Sequence, residues 1–244
     1  MDEGKRILLL GVYGMEMVEC GGVLCRNAQM GGTCHAAFFF AGPQMRKGLE
    51  KAALILGCTT EYLNFDIGTI SANQEERLKV AQVIRRFRPD IIITQDPEHC
   101  VQDLDPGRRP AMTTLLEGMA LAGRDYGLAP GENPWRRFTV YYMTPSSPNC
   151  LVEITDVWDQ KVRAMDALDS QLEFIGQMVR GDGVPYGKWI TGFDSMQNDL
   201  EIGKAVKKLW DLAYHLYHGS TGHNQVFLSE NYRKDGLFCL DMLL

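Results

Sequence analysis

The chain of 244 residues contains no apolar stretch near the roughly 20 residues that a membrane-spanning helix needs. It also lacks a basic excess. Lys and Arg number 25 against 31 Asp and Glu, for a net charge of -6, so the electrostatic footprint of a nucleic-acid surface is missing. The densest basic cluster, Arg85, Arg86 and Arg88, shares an expected helix with Glu75 and Glu76 and reads as a solvated face. The seven cysteines are odd in number and form no CxxC pair, as expected of reduced thiols in a cytoplasmic protein. Residues 1–6 are too acidic, and the apolar run after them too short, for a secretory signal. Three catalytic or cofactor signatures are absent: the G-x-S-x-G elbow, the HExxH zinc helix and the third glycine of G-x-G-x-x-G. There is no internal repeat.

An apolar share of 45% with 23% charged residues is ordinary for a globular chain, and the length suits a single α/β domain over residues 1–244. Strands are expected at 5–10, 34–40, 61–65, 90–94, 139–143 and 150–154. Helices are expected at 17–30, 44–56, 73–87, 111–126, 156–177 and 205–217, with Gly57 as a stop signal. This alternation implies a Rossmann-like three-layer domain, its mainly parallel sheet covered on both faces. Residues 181–203, rich in Gly and polar side chains, read as an inserted arm. Ligands of such sheets sit beyond the carboxyl ends of the strands, so loops 11–19, 42–43, 66–73 and 95–110 are the ones to watch.

Two of those loops carry the informative residues. The first lies in Ile7-Leu-Leu-Leu-Gly-Val-Tyr-Gly-Met-Glu-Met-Val-Glu-Cys-Gly-Gly22, where an apolar run opens onto a turn and then a helix start. The second runs from Thr94-Gln95-Asp96-Pro97-Glu98-His99-Cys100 to Leu104-Asp105-Pro106, followed by Arg108 and Arg109. Together with Arg88-Pro89-Asp90 and Ile154-Thr155-Asp156-Val157-Trp158-Asp159-Gln160-Lys161, these stretches resemble the PIG-L/LmbE-like de-N-acetylase family. They are most similar to its 4-oxalomesaconate hydratase branch. Lys161, Ala164, Ser170 and Gln171 also fit a deacetylase pattern, whose histidine position is Leu168. The resemblance implies a zinc site in the first and second loops. It places the family's ligand histidine on Val12, its ligand aspartate on Met15 and its catalytic aspartate on Gly14, while the following acid survives as Glu16. The third ligand falls on Asp105 in the register that keeps the proline, and on Arg108 in the alternative.

Val12 and Met15 offer zinc no hard donor, and a catalytic zinc takes three protein ligands. The expectation is therefore no resident metal or other cofactor, with zinc only if Glu16, His99, Cys100 and Asp105 rebuild a site. Two functional classes stay open. One is a non-catalytic, ligand-binding relative, as a homo-oligomer or in complex with an intact paralogue. The other is a hydrolase or hydratase on a small carboxylated or acetylated substrate. Glu16, Asp96, His99 and Asp105 would supply its acid–base chemistry, and Tyr13, Arg108 and Arg109 would bind a small anionic molecule. His215 and His218 share a helix face and precede His223, a set read as aromatic packing rather than metal ligation. Cys20 at a helix start reads as a buried cysteine rather than a nucleophile.

Overall fold

The computed structural model describes residues 4–182, 187–219 and 226–236. Among these residues seven strands run in chain order: β1 Arg6–Gly11, β2 Thr33–Phe38, β3 Cys58–Tyr62, β4 Ile91–Gln95, β5 Thr139–Met143, β6 Cys150–Glu153 and β7 Ser229–Lys234. The helices are α1 Glu16–Glu19, α2 Gly21–Gln29, α3 Pro43–Leu56, α4 Gln74–Phe87 and α5 Glu98–Gln102. They continue with α6 Arg108–Ala122, α7 Trp158–Asp166, α8 Asp169–Asp182 and α9 Asp199–Gly219. The sheet order is β3-β2-β1-β4-β5-β7-β6. The first five strands of that order are parallel, and β7 pairs antiparallel with both β5 and β6.

The strand pattern explains the layers. Side chains alternate across a strand, so Ile7 and Leu9 join a core on one face of the sheet with Ala36, Phe38 and Ile93. Leu8 and Leu10 join the opposite core with Ala37, Phe39 and Ile92. Residues from α2, α3 and α7 close the first core, and residues from α4 and α6 close the second. The result is the three-layer α/β fold expected from the sequence.

Local signals account for several element ends. Asn73 and Glu76 form a reciprocal capping box at the start of α4, and Gly57 ends α3 in a left-handed conformation, φ 73°. The expected helix at 156–177 is instead two helices, α7 and α8, with a break at Ala167 and Leu168. The stretch expected as an arm holds the end of α8, two 3-10 turns (Gly187–Trp189 and Phe193–Ser195) and the first turns of α9. Strand β7 was not foreseen. Its sequence, Ser-Glu-Asn-Tyr-Arg-Lys, carries no apolar alternation although its first four residues are buried.

Candidate active-site cleft

β1 and β4 are adjacent and parallel, so the loops that follow them meet at one end of the sheet. Glu16 is 1% exposed, and its carboxylate turns back to accept the N–H groups of Val12 at 2.8 Å, Tyr13 at 3.1 Å and Gly14 at 2.6 Å. The Gln95 side-chain amide donates to the same carboxylate at 2.5 Å, tying the first loop to the end of β4. Gly14 takes a φ of +99°, a conformation that L side chains rarely adopt, and this lets the loop fold around the acid. Glu16 is thus fully engaged as the organising anion of the loop.

The second loop closes over the first. The Tyr13 hydroxyl donates to Asp105 at 2.5 Å, and the Arg108 guanidinium lies 4.8 Å above the Tyr13 ring. Arg108 also donates to Gln95 and pairs with Asp103 at 2.6 Å. Burial and the neighbouring Asp105 push the Tyr13 phenol up, so it stays protonated. Burial would raise the Asp105 carboxyl, but the Tyr13 hydroxyl, the Gly107 N–H and Arg108 together hold it below its ordinary value.

Between these loops and the start of α8 lies a cleft of about 970 Å³. Tyr13, Met15, Glu16, Gln95, Asp105 and Arg108 line one side, with Phe40, Arg46, Asn64, Phe65, Gln171 and Phe174 among the other lining residues. Arg46 donates to Asn64 and to the Ala41 carbonyl. The cleft therefore gathers Tyr13, Glu16, Asp105 and Arg108 from the residues expected at a site.

It does not gather Asp96, His99 or Arg109. Asp96 is buried and accepts both Nε and Nη2 of Arg233 at 2.7 Å, a bidentate pair that fastens β7 to the end of β4. His99 lies in a separate depression with Glu98, Gln102, Asp103 and Ser146, and its Nε2 donates to the Thr144 carbonyl at 2.8 Å. Arg109 donates to the carbonyls of Cys100 and Asp103, so it braces the second loop from outside and forms no anion clamp with Arg108. Arg46, Asn64 and Glu19 line the cleft without having been singled out in the sequence. They come from α1, α3 and the loop after β3, and no local motif marks them.

No family model matches the chain. Over 197 residues, 68% of this chain and 74% of the relative, it is 24% identical to the 4-oxalmesaconate hydratase of Pseudomonas putida. Over 127 residues it is 29% identical to the diacetylchitobiose deacetylase of Thermococcus kodakarensis, matching 50% of this chain and 47% of that enzyme. Among solved structures, GalB, the 4-carboxy-2-hydroxymuconate hydratase of Pseudomonas putida KT2440, superposes over 100% of both chains with a TM-score of 0.65 and 18% identity. The chain is a homologue of these enzymes and has the LmbE/PIG-L fold.

The zinc that this homology implies does not fit the residues present. Val12 is fully buried in the second core and Met15 packs against the first, so the two positions that the resemblance gives to zinc ligands hold apolar side chains. Glu16 spends its oxygens on three backbone N–H groups and Gln95, and Asp105 spends its own on Tyr13 and Gly107. The four residues that would rebuild a site are not brought together, since His99 faces another depression. Among the described residues no three His, Cys, Asp or Glu side chains converge on one point.

Two further candidates resolve as structure. His215 is buried, its Nδ1 donates to the Asp211 carbonyl at 2.6 Å, and its ring packs on Trp158 and Tyr214. His218 packs on Tyr214 and Tyr217, while His223 lies outside the described residues. Burial pushes the Cys20 thiol well up, and its Sγ donates to the Glu16 carbonyl, which makes it an inert core group.

Proposed function

We propose that this chain is a non-catalytic relative of the LmbE/PIG-L hydratases and deacetylases that binds a small polar molecule in the cleft, as a ligand-binding or partner subunit. The observation that carries this reading is the first loop. The positions that the family resemblance gives to its chemistry hold Val12, Gly14 and Met15, yet the loop's shape is kept by the Glu16 and Gln95 network. A loop held this firmly around an open cleft supports binding as the retained task. The lining acids Glu16, Glu19, Asp66 and Asp105 outnumber the lining cations Arg46 and Arg108. The ligand is therefore a molecule with at most one anionic group, held at Arg108. The partner-subunit role is supported by the apolar side chains that α8 and α9 leave exposed, Phe174, Met178, Leu212 and Tyr217.

A second reading rests on the Tyr13–Asp105 contact. The phenol donates to the carboxylate at 2.5 Å and sets a hydrogen-bond donor and a carboxylate base side by side in the cleft, and these would serve an enzyme acting on a carboxylated or acetylated substrate without zinc. One experiment separates the two. Thermal shift and turnover are measured on the parent chain, Arg108→Ala and Tyr13→Phe. The probes are unsaturated monocarboxylates, which match a single anionic group, and unsaturated dicarboxylates and N-acetylated amino sugars, which an enzyme of this fold would turn over. The binding reading expects a stabilising ligand whose effect Arg108→Ala weakens, with no turnover. A ligand at about 100 times its Kd adds on the order of 2.7 kcal/mol to stability, well within detection. Turnover that Tyr13→Phe removes while binding survives would overturn it in favour of the enzyme.

A further inference from the structure

Gln171 is the third residue of α8 and lines the cleft, but it is only 7% exposed. Among the described residues, neither its Nε2 nor its Oε1 has a hydrogen-bond partner. That sets it apart from the polar groups around it. Glu16, Gln95 and Asp105 all have their oxygens or N–H groups engaged by neighbours. The reason lies across from it. Gly14 has no side chain, and a Cβ there would come within 3.2 Å of the Gln171 Nε2. Glycine leaves the amide unopposed where another residue would crowd it.

A buried amide without partners is costly and rare in a folded protein, which makes it informative about what the site receives. Resting on the binding reading above, we infer that Gln171 is a specificity residue of the cleft and that the ligand carries a neutral carboxamide or lactam. The chemistry is complementary. The Gln171 amide offers one acceptor and one donor side by side, and a primary carboxamide or lactam presents an N–H and a C=O in the matching order. A carboxylate has no hydrogen to give Oε1 and would set like charge density against it. A lone hydroxyl can satisfy one end at a time. Rotation about the terminal torsion of glutamine is soft, so the amide can turn its edge toward the cleft when such a group arrives.

Benzamide and benzoate are suitable probes, because their shared ring gives both the same apolar contact and leaves the amide as the difference. Binding of each is measured by ligand-observed and protein-observed NMR titration on the full chain and on Gln171→Met and Gln171→Glu. The parent chain should prefer benzamide by about tenfold. Gln171→Met should erase that preference. Gln171→Glu, which keeps the shape but cannot donate, should also lose benzamide. The unliganded Gln171→Met protein should melt above the parent, since it replaces an unpartnered buried amide with an apolar chain of similar size. A residue with a structural hydrogen bond would give the opposite sign, so a variant that melts below the parent or fails to fold overturns the inference. If both probes bind equally, or the Met variant keeps the preference, the amide assignment falls and the binding reading stands. If neither probe binds, the binding reading falls and the assignment falls with it.

Discussion

At the scale of single residues, the molecule turns polar groups that look like chemistry into scaffolding. Glu16 was legible as the surviving acid of the first loop, but a sequence does not say whether a carboxylate faces a ligand or its own backbone. Here three N–H groups take it. Asp96 and His99 looked alike as acid–base candidates. Asp96 is committed to Arg233, which lies 137 positions away, a contact that no local pattern signals. His215 makes a sharper case. Burial and the nearby Lys161 lower its pKa to about 2, against an ordinary 6.5. The folded state therefore refuses a proton that the unfolded chain accepts. Stability from this group is fully present above pH 6.5 and is lost as pH falls from 6.5 toward 2. Lys161, Lys207 and His218 act on it through their charge, and Asp211 through its backbone carbonyl. Between pH 7.5 and 5.5 the loss amounts to about 1.4 kcal/mol. Urea unfolding of the parent and His215→Phe at these two pH values should show that increment only in the parent. Equal pH dependence in both proteins would contradict the assignment.

At the scale of elements, strands and helices with strong apolar periodicity were readable from the sequence, and those held by buried polar groups were not. β1, β2 and β4 are built around buried Leu, Ile, Ala and Phe, and the expected positions match them closely. β7 was missed because its sheet position depends on Glu230, Tyr232 and Arg233 finding partners rather than on apolar alternation. Glu230 accepts the N–H groups of Gly22 at 2.7 Å and Val23 at 2.9 Å, capping the start of α2 from a strand more than 200 residues away. Lys161 of α7 donates to the same carboxylate at 2.7 Å, and both side chains are buried. Gly22 is needed for this approach, because a Cβ there would stand 2.9 Å from the Glu230 oxygen and 2.6 Å from Ile154. Truncating one member of a buried pair strands the other. Glu230→Ala should cost on the order of 3–5 kcal/mol by chemical denaturation, against less than 1 for a surface acid such as Glu75. A loss below 1 kcal/mol would show that the pair does not hold α2, α7 and β7 together.

For the whole molecule, the placement of the cleft was legible and its chemistry only partly so. Parallel strand order puts loops 11–19 and 95–110 side by side, and the Tyr13–Asp105 and Gln95–Glu16 hydrogen bonds join them. The opposite wall comes from the loop after β3, from α3 and from α8, and its contribution depends on packing between distant elements. Homology to a hydratase and a deacetylase sets the fold, while apolar Val12 and Met15 stand where the family resemblance would put zinc ligands. The most direct measurement is elemental analysis of the untagged protein, purified without chelator and then dialysed against a zinc buffer. The account predicts well under one zinc per chain both before and after dialysis. One zinc per chain that is lost when Asp105 is replaced by Ala would contradict it, because a metal would then be held in the cleft by residues that the structure shows bonded to one another.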